Sequence, residues 1–318
     1  MADRLGGHSL GWLGTGRMGI SLIHRLLGAG CDVTVYNRTM AKAEPLAAAG
    51  AKVTDTAAGL ASADIVFVTV GTSQDLVDAM TGPSGMTSGG RAPSFVVDCS
   101  TVSAEASQQV RAQLAAVGCE FLAAPVMGNP RVAAAGRLTF AVSGSRAAFD
   151  EVHPYLDLLG AGATYVGAGE RARIVKLCHN LLLGVVTQSL AEVTVLAEKS
   201  GISRQAVLAC LNNSVLGSTF SRYKTPAFVN LDFHPTFTAS LLRKDFDLGL
   251  AAARQYEVPM PIASAVHQLV QSLVATDSAK KTSPPCSFSR QGRRALTSPA
   301  NTRRYLTGSS PPAVIDRG

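Results

Sequence analysis

The stretch Ser9-Leu-Gly-Trp-Leu-Gly-Thr-Gly-Arg-Met-Gly19 decides the fold class of this 318-residue chain. A short apolar segment leads directly into three glycines with G-x-G-x-x-G spacing, and a helical pattern follows. In this spacing the first glycine permits a tight turn, the second lets backbone approach a pyrophosphate, and the third lets helix and strand pack closely. The helix N-terminus then faces the phosphates. Because a second apolar strand, Asp32–Tyr36, follows the helix, we predict a dinucleotide-binding unit whose cofactor contacts are Gly14, Thr15, Gly16, Arg17, Met18 and Gly19.

The residues after the second strand indicate which dinucleotide is bound. An acidic side chain at this place would hold the ribose 2′-hydroxyl of NAD, but the chain has Asn37, Arg38 and Thr39. A guanidinium pairs with a phosphate and can stack on adenine. We therefore predict NADP as the cofactor rather than NAD, with these three residues at the 2′-phosphate. The alternative is that Arg38 is a solvent-facing loop residue.

Strand and helix patterns alternate over the first half of the chain, which predicts a mainly parallel sheet with helices on both faces. We interpret residues 1–168 as a Rossmann-type, doubly wound α/β domain. From about residue 170 the pattern is helical, with predicted helices at Arg171–Lys199, Arg204–Asn212, Thr238–Tyr256 and Ile262–Val274, so residues 169–274 form an all-helical domain. The predicted strands are Ser9–Leu13, Asp32–Tyr36, Ile65–Val70, Phe95–Asp98, Phe121–Ala123, Leu138–Val142 and Thr164–Val166.

The first long helix of that second domain carries polar residues among apolar ones. Lys176, His179 and Asn180 share one face of a helix that is otherwise apolar nearly all round. Burying an ammonium group is costly, so the lysine either snorkels to solvent or has a chemical task. Desolvation in an apolar cleft would lower its pKa toward neutrality, which suits a general acid in the reduction of a carbonyl.

Composition and charge argue against nucleic-acid binding, membrane insertion and metal binding. The net charge of +7 lies mostly in residues 275–318, which hold eight Lys and Arg against two Asp, so the body is nearly neutral and predicts no nucleic-acid partner. No apolar run approaches the roughly 20 residues of a membrane span, and the N-terminus lacks an apolar signal segment. Six scattered cysteines without a C-x-x-C pair predict reduced thiols, no metal site and a cytoplasmic location.

Six motifs, in order, resemble the β-hydroxyacid dehydrogenase family, which includes 3-hydroxyisobutyrate dehydrogenase, tartronate semialdehyde reductase, and the glyoxylate and succinic semialdehyde reductases. The resemblance covers roughly residues 9–274. It implies an NADP-dependent oxidoreductase that interconverts a small β-hydroxy acid and its semialdehyde or keto acid. The motifs are GTGRMG (14–19), NRT (37–39), DCST (98–101), APVMGN (124–129), KLCHN (176–180) and LLRKDFDLGL (241–250).

The resemblance also implies roles for particular residues. Lys176 would be the catalytic general acid or base, and Asn180 would hold the substrate. Ser100 and Thr101 would line the substrate and nicotinamide pocket. Lys244 would come from the helical domain, together with its neighbour Asp245, to close over the cofactor. Relatives assemble through their helical halves, so a homodimer or homotetramer is expected.

The substrate loop departs from the family pattern. Where relatives read FLDAPVSGG, this chain reads FLAAPVMGN, with Met127 in place of a serine and Asn129 in place of a glycine. Gly128 and Asn129 remain the predicted binders of the substrate carboxylate, and a less polar substrate than tartronate semialdehyde is expected. The Lys-His-Asn order also resembles 6-phosphogluconate dehydrogenase, whose helical part is much larger.

Two alternative functions stay open at this point. Imine or ketone reductases share the scaffold but commonly carry Asp or Tyr at the lysine position. A non-catalytic NADP-binding scaffold protein is the other alternative.

The segment 275–318 lacks helical periodicity and is rich in Ser, Pro, Thr and Arg, which predicts a disordered basic tail. A second interpretation is a frameshift. One inserted nucleotide after Val274 permits the reading VGHGLSEEDFAALLV, which resembles the G-x-G-x-x-D-x-S/A-A-L ending of the family. Sequencing the gene would test this interpretation.

Overall fold

The glycine-rich stretch begins a sheet in the computed structural model, which describes residues 7–233 and 237–275. The two neighbouring strands at the centre of the sheet, Leu10–Leu13 and Ile65–Val68, are short, apolar and buried along their whole length, as expected of strands covered on both faces. The strands are β1 (Leu10–Leu13), β2 (Val33–Tyr36), β3 (Lys52–Val53), β4 (Ile65–Val68), β5 (Phe95–Asp98), β6 (Glu120–Ala123), β7 (Val126–Met127), β8 (Thr139–Ser143) and β9 (Gly162–Gly167).

The strand order is β3-β2-β1-β4-β5-β6-β8-β7, with β9 paired to β8. Pairing is parallel from β3 through to β6 and between β8 and β9, whereas β8 runs antiparallel to β6 and β7. The order reverses at β1, which lies between β2 and β4. In an open parallel sheet the ligand crevice lies beyond the carboxyl ends of the strands at such a reversal. The sheet therefore places the glycine turn after β1 at that crevice.

The helices cover both faces of the sheet and then continue as a helical half. They are α1 (Arg17–Gly28), α2 (Glu44–Ala47), α3 (Ser73–Thr81), α4 (Ala104–Ala115), α5 (Pro130–Ala134), α6 (Arg146–Leu159), α7 (Arg171–Lys199), α8 (Arg204–Asn213), α9 (Thr219–Asn230), α10 (Ala239–Gln255) and α11 (Pro261–Ala275).

The predicted Rossmann-type sheet followed by helices is confirmed. All seven predicted strands are present, with ends displaced by up to two residues, and α7 has the predicted bounds. Strands β3 and β7 were missed because two residues are too few to show an alternating pattern. Helix α9 was missed because Pro226 lies inside it, and proline in a helix interior is normally a breaker.

The described residues divide into two compact units. Residues 7–187 and 237–275 form the first, and residues 188–233 form the second. The sheet ends at Gly167, close to the predicted domain boundary at residue 168. The two compact units, however, divide between Thr187 and Gln188, inside α7. The domain boundary from sequence stays a prediction, and residues 276–318, with their frameshift interpretation, lie outside the described part.

The first unit has a core on each face of the sheet and a third between α7, α10 and α11. On one face Trp12 stacks on Phe67, with ring centroids 5.2 Å apart. Helices α7 and α10 approach closely at Gly184, where a Cβ would lie only 2.5 Å from the ring of Phe246. This close approach brings the residues of α7 and α10 that precede these positions within hydrogen-bonding distance of each other.

The second unit contains the end of α7 with α8 and α9. Its small core centres on Ala191, Leu208 and Phe228. A capping box begins α9, since the Ser218 side chain accepts from the Ser221 backbone N–H and the Ser221 side chain accepts from the Ser218 backbone N–H. The cap stabilises the first turn of α9, and Pro226 lies further along the same helix.

One described helix, α7, is long and apolar enough to cross a membrane by length and composition alone. Its most apolar 18-residue segment has a mean hydropathy of 1.5, and 44% of that segment is buried inside the protein. The core helix of a soluble protein meets the same two criteria, so they do not distinguish the two cases. The absence of a membrane partner stays a prediction.

Candidate active site

The glycine turn after β1 is shaped by the protein's own packing at two of its three glycines. Gly14 has φ +97°, and a Cβ there would lie 2.1 Å from the carbonyl oxygen of Thr69. A Cβ at Gly19 would lie 2.1 Å from the carbonyl oxygen of Gly14. The Thr69 hydroxyl donates to the same Gly14 carbonyl at 2.7 Å. These contacts fix the turn that leads into α1.

Gly16 differs from its two neighbours. A Cβ at Gly16 would meet no atom within 4 Å, so nothing in the protein excludes a side chain there. The open space lies at the N-terminus of α1, for which Gly16 is the N-cap residue. Thr15 beside it is 1% exposed, and its hydroxyl makes no hydrogen bond within the described residues. An open space, an unsatisfied hydroxyl and a helix N-terminus together fit the pyrophosphate of a dinucleotide.

The predicted ribose-binding residues lie next to this turn. The Asn37 side-chain oxygen accepts the Thr15 backbone N–H at 3.0 Å, and its amide nitrogen donates to the Thr39 carbonyl at 2.9 Å. The Arg38 side chain is 83% exposed, and its guanidinium lies 3.1 Å from a carboxylate oxygen of Asp75. Arg17 is exposed and Met18 half-buried. The structure therefore brings Thr15 and Asn37 together and leaves Arg38 accessible to a ligand.

Lys176 is buried, with 7% of its surface exposed. Its ammonium donates to the side-chain oxygen of Asn180 at 3.1 Å, one helical turn further along α7. The Asn180 amide nitrogen donates in turn to Asp245 of α10 at 2.5 Å. Burial lowers the pKa of Lys176 to about 8; Asp245 opposes this change and Lys244 adds to it. The lysine is thus a buried amine held in place by a side-chain network, and it does not snorkel to solvent.

Lys244 connects α10 to the carboxyl edge of the sheet. Its ammonium donates to the carbonyl oxygens of Thr101 at 2.8 Å and Gly71 at 3.3 Å, and it lies 3.8 Å from Asp245. Burial lowers the pKa of Lys244, and the Asp245 carboxylate opposes that change. Contacts therefore connect Lys176 through Asn180 and Asp245 to Lys244 and Thr101, whereas the contact of Lys244 with a cofactor stays a prediction.

Asp245 is 2% exposed, and burial raises the pKa of its carboxyl group although both lysines and Asn180 counteract this. Its Oδ2 accepts from Asn180, whereas its Oδ1 makes no hydrogen bond within the described residues. His179 is half-buried, with Nδ1 2.8 Å from the Asn180 side-chain oxygen, and burial lowers its pKa. Both therefore support the side chains around Lys176.

Ser100 lies on the loop after β5, held by a buried ion pair that the sequence interpretation missed. Its backbone N–H donates to Asp98, and its carbonyl accepts from Arg173 of α7. Arg173 also lies 2.5 Å from Asp98, and the two side chains are 1% and 0% exposed. The sequence carried a signal for one partner, since Asp98 is a single charge at the end of an apolar strand, whereas Arg173 lies among the charged residues Glu170, Arg171 and Lys176 and does not stand out.

The substrate loop lies between β7 and α5. Gly128 has φ +141°, and a Cβ there would lie 2.5 Å from Leu138, so the loop conformation requires glycine. The side-chain oxygen of Asn129 accepts the backbone N–H groups of Arg131 and Val132 and so begins α5. This structural role accounts for Asn129 locally, and substrate binding by Gly128 and Asn129 stays a prediction.

Metal binding has no support in the parts of the chain that the structure covers, 7–233 and 237–275. Within them, no three His, Cys, Asp or Glu side chains are grouped to hold an ion. The groups around Lys176 are a second amine, that of Lys244, the carboxyl group of Asp245, the amide of Asn180 and the imidazole of His179.

Two family models match consecutive parts of the chain. A family model described as the NAD binding domain of 6-phosphogluconate dehydrogenase matches residues 9–167. A second, described as NAD-binding of NADP-dependent 3-hydroxyisobutyrate dehydrogenase, matches residues 167–283. Together the two models meet at the end of the sheet, where α7 and its lysine begin.

Individual relatives are similar over most of the chain. Glyoxylate/succinic semialdehyde reductase 2, chloroplastic, of Arabidopsis thaliana is 31% identical over 268 residues, which cover 84% of this chain and 75% of the reductase. Cytokine-like nuclear factor N-PAC of Homo sapiens is 31% identical over 269 residues, but this chain spans only 49% of its length. A crystal structure of 3-hydroxyisobutyrate dehydrogenase from Salmonella typhimurium superposes with a TM-score of 0.77 at 25% identity, covering 87% of this chain and 98% of that one.

Proposed function

This chain belongs to the β-hydroxyacid dehydrogenase family of NAD(P)-dependent oxidoreductases acting on CH–OH groups, and we propose that it interconverts a small β-hydroxy acid and its semialdehyde or keto acid with NADP. The observation that carries the proposal is the buried Lys176, whose pKa is lowered to about 8 by burial. A lysine of that pKa holds a proton at pH 7 and releases it readily, as a general acid requires.

The residues divide the reaction between them. When bound, the nicotinamide exchanges a hydride with the substrate carbon. Lys176 gives its proton to the oxygen of the forming alkoxide, and its charge stabilises that oxygen as negative charge develops. In the reverse direction the neutral amine removes the hydroxyl proton. General acid catalysis of this kind typically contributes about 10²–10⁴-fold.

Asn180 orients the amine. Its oxygen accepts from Lys176 and its nitrogen donates to Asp245, so the amide cannot turn round without losing both hydrogen bonds. We propose that this holds the lysine pointing toward the substrate. The hydroxyl of Ser100 accepts the Val70 backbone N–H at 2.8 Å, so its own proton stays free to be donated to the substrate.

A substrate panel tests the reaction. NADPH oxidation is monitored with glyoxylate, succinic semialdehyde, methylmalonate semialdehyde and a cyclic imine, for wild type and Lys176→Ala. We expect turnover of an aldehyde acid and a loss of kcat on the order of 10²–10⁴-fold in the variant. Lys52→Ala is the matched control because Lys52 is an exposed lysine paired with Asp32 at the amino end of the strands, away from the cofactor turn. Full activity in Lys176→Ala would refute the proposed mechanism.

The NADP preference rests on Arg38. Its exposed guanidinium pairs with Asp75, and we propose that a 2′-phosphate replaces or shares this partner. Arg38→Ala should therefore raise the KM for NADPH at least tenfold, because one charge-assisted contact is worth about 1.5–3 kcal/mol, and should change that for NADH little. Asp75→Asn should lower the KM for NADPH, since it removes the competing carboxylate. Equal effects on both cofactors would contradict the assignment.

A second candidate is an NADP-binding protein without turnover, favoured by the similarity to N-PAC, a nuclear factor by name. The buried network of Lys176, Asn180 and Asp245 supports the enzyme instead. Tight NADPH binding with no turnover of any panel member would favour the second candidate. A cytoplasmic location and a homodimer or homotetramer remain proposals.

A further inference from the structure

Arg173 is a fully buried arginine with three different acceptors. Its guanidinium donates to Asp98 at 2.5 Å, to the Ser100 carbonyl at 2.7 Å and to the Ser107 hydroxyl at 3.1 Å. The acceptors come from the end of β5, the following loop and α4, whereas Arg173 itself lies in the first turn of α7. One planar side chain therefore joins four segments, which its fixed fork of donors allows and a lysine could not reproduce.

Asp98 completes the arrangement. One carboxylate oxygen faces Arg173, and the other accepts the backbone N–H of Ser100 at 2.9 Å. The backbone of Ser100 is thus held at its N–H by Asp98 and at its carbonyl by Arg173. The next residue, Thr101, offers its carbonyl to Lys244 at 2.8 Å. Both ends of this short loop are consequently fixed.

The other end of the arrangement is the lysine. Arg173 precedes Lys176 by three residues on the same helix, so the two side chains project from nearly the same face. A helix is rigid over one turn, and any shift of Arg173 along or about the helix axis moves Lys176 with it. The contacts of Arg173 therefore set the position of the amine relative to the loop that carries Ser100 and Thr101.

We propose that Asp98 and Arg173 are a pair of positioning residues that hold the Lys176 turn of α7 in register with the Ser100–Thr101 loop. The proposal rests on the proposed function, because it assigns the pair to alignment of the same reaction. A buried ion pair adds little stability over well-packed apolar residues, whereas its directional contacts specify one arrangement. A misplacement of about 1 Å can cost on the order of 10²-fold in rate, so such specification has a catalytic effect.

The test uses Asp98→Asn, which keeps the shape of the side chain but turns an amide N–H toward the guanidinium or toward the Ser100 N–H. We expect kcat to fall at least tenfold while the KM for NADPH stays within twofold, measured per folded active site.

Glu198→Gln is the control for general destabilisation. Glu198 pairs with Arg204 at 3.0 Å, and these side chains are only 11% and 13% exposed, but both lie in the second unit. Its kcat per folded site should match wild type. If the kcat of Asp98→Asn per folded site also matches wild type, the pair is only structural and the proposal is overturned.

A second readout does not depend on turnover. Hydrogen exchange of backbone amides in the loop 99–103 and in the first turns of α7 should accelerate together in Asp98→Asn and stay unchanged in Glu198→Gln. Unchanged exchange in Asp98→Asn would overturn the proposal whatever the reaction is. Coupled acceleration together with full activity of Lys176→Ala would instead show that the clamp exists and that the proposed function has failed.

Discussion

Replacing Lys176 by methionine is expected to stabilise the protein at pH 7 while it removes catalysis. Methionine is similar in length and apolar, so it fills the site of the lysine stem without an ammonium group. The substitution therefore shows separately what the buried charge costs in free energy of unfolding and what it contributes to catalysis.

The magnitude follows from the pKa of Lys176, which burial lowers from 10.5 to about 8. A tenfold change in a protonation equilibrium is worth about 1.4 kcal/mol, so keeping this amine charged in the folded protein costs about 3 kcal/mol. The hydrogen bond to Asn180 is lost in the variant, as is the attraction to Asp245. The expected gain in the free energy of unfolding at pH 7 is therefore at most about 3 kcal/mol.

The gain must depend on pH in a definite direction. Below about pH 8 the lysine is protonated in both folded and unfolded chains, and the full cost is present. Between about pH 8 and 10.5 the folded protein has released its proton whereas the unfolded chain still binds one, so the cost declines as pH rises. At about pH 9.5 the gain from Lys176→Met should be only about 1 kcal/mol.

Urea unfolding followed by tryptophan fluorescence measures this. Trp12 is the only tryptophan of the sequence, and it is fully buried in the same compact unit as Lys176. Lys52→Met is the control, because Lys52 is 67% exposed and its surface ion pair with Asp32 is worth only about 0–1 kcal/mol. A loss of stability at pH 7, or a gain that is the same at both pH values, would refute the reasoning.

Three further predictions concern the site. The kcat for aldehyde reduction should fall as pH rises through about 8, because Lys176 must be protonated to act as the acid. The kcat for oxidation of the hydroxy acid should rise over the same range, because Lys176 must then be neutral. A pH–rate profile without this change near pH 8 would contradict the assignment. Asp245→Asn should move the same change to lower pH, since the Asp245 carboxylate raises the pKa of Lys176; the same change at an unmoved pH would show that this carboxyl group is neutral. Gly14→Ala should prevent correct folding, because its Cβ would lie 2.1 Å from the carbonyl oxygen of Thr69, and circular dichroism would show this. Gly16→Ala should fold normally but bind NADPH more weakly in a titration, because its Cβ would occupy the open space at the start of α1. Equal NADPH affinity in wild type and Gly16→Ala would place the pyrophosphate elsewhere.

Much of the fold could be predicted because its signals are local. A strand buried on both faces is a short apolar run, the glycine spacing marks the first turn, and the polar face of α7 shows Lys176 and Asn180 one turn apart. Pro226 misled the same reasoning, because the capping box at Ser218 and Ser221 supports a helix that propensity alone opposes. The predictions failed where a segment was too short or too unfavourable to show its pattern.

The sequence by itself determined the Rossmann-type sheet, the helical half and the candidate lysine, since each depends on residues close together in the chain. Only the tertiary structure decided what surrounds that lysine. Asp245 lies 65 residues from Asn180, and Asp98 lies 75 residues from Arg173, and no local pattern pairs groups so far apart. Packing of α7 against the sheet and α10 brings these groups together, and it buries Lys176, which lowers the pKa of that lysine to about 8; a linear sequence does not contain this burial.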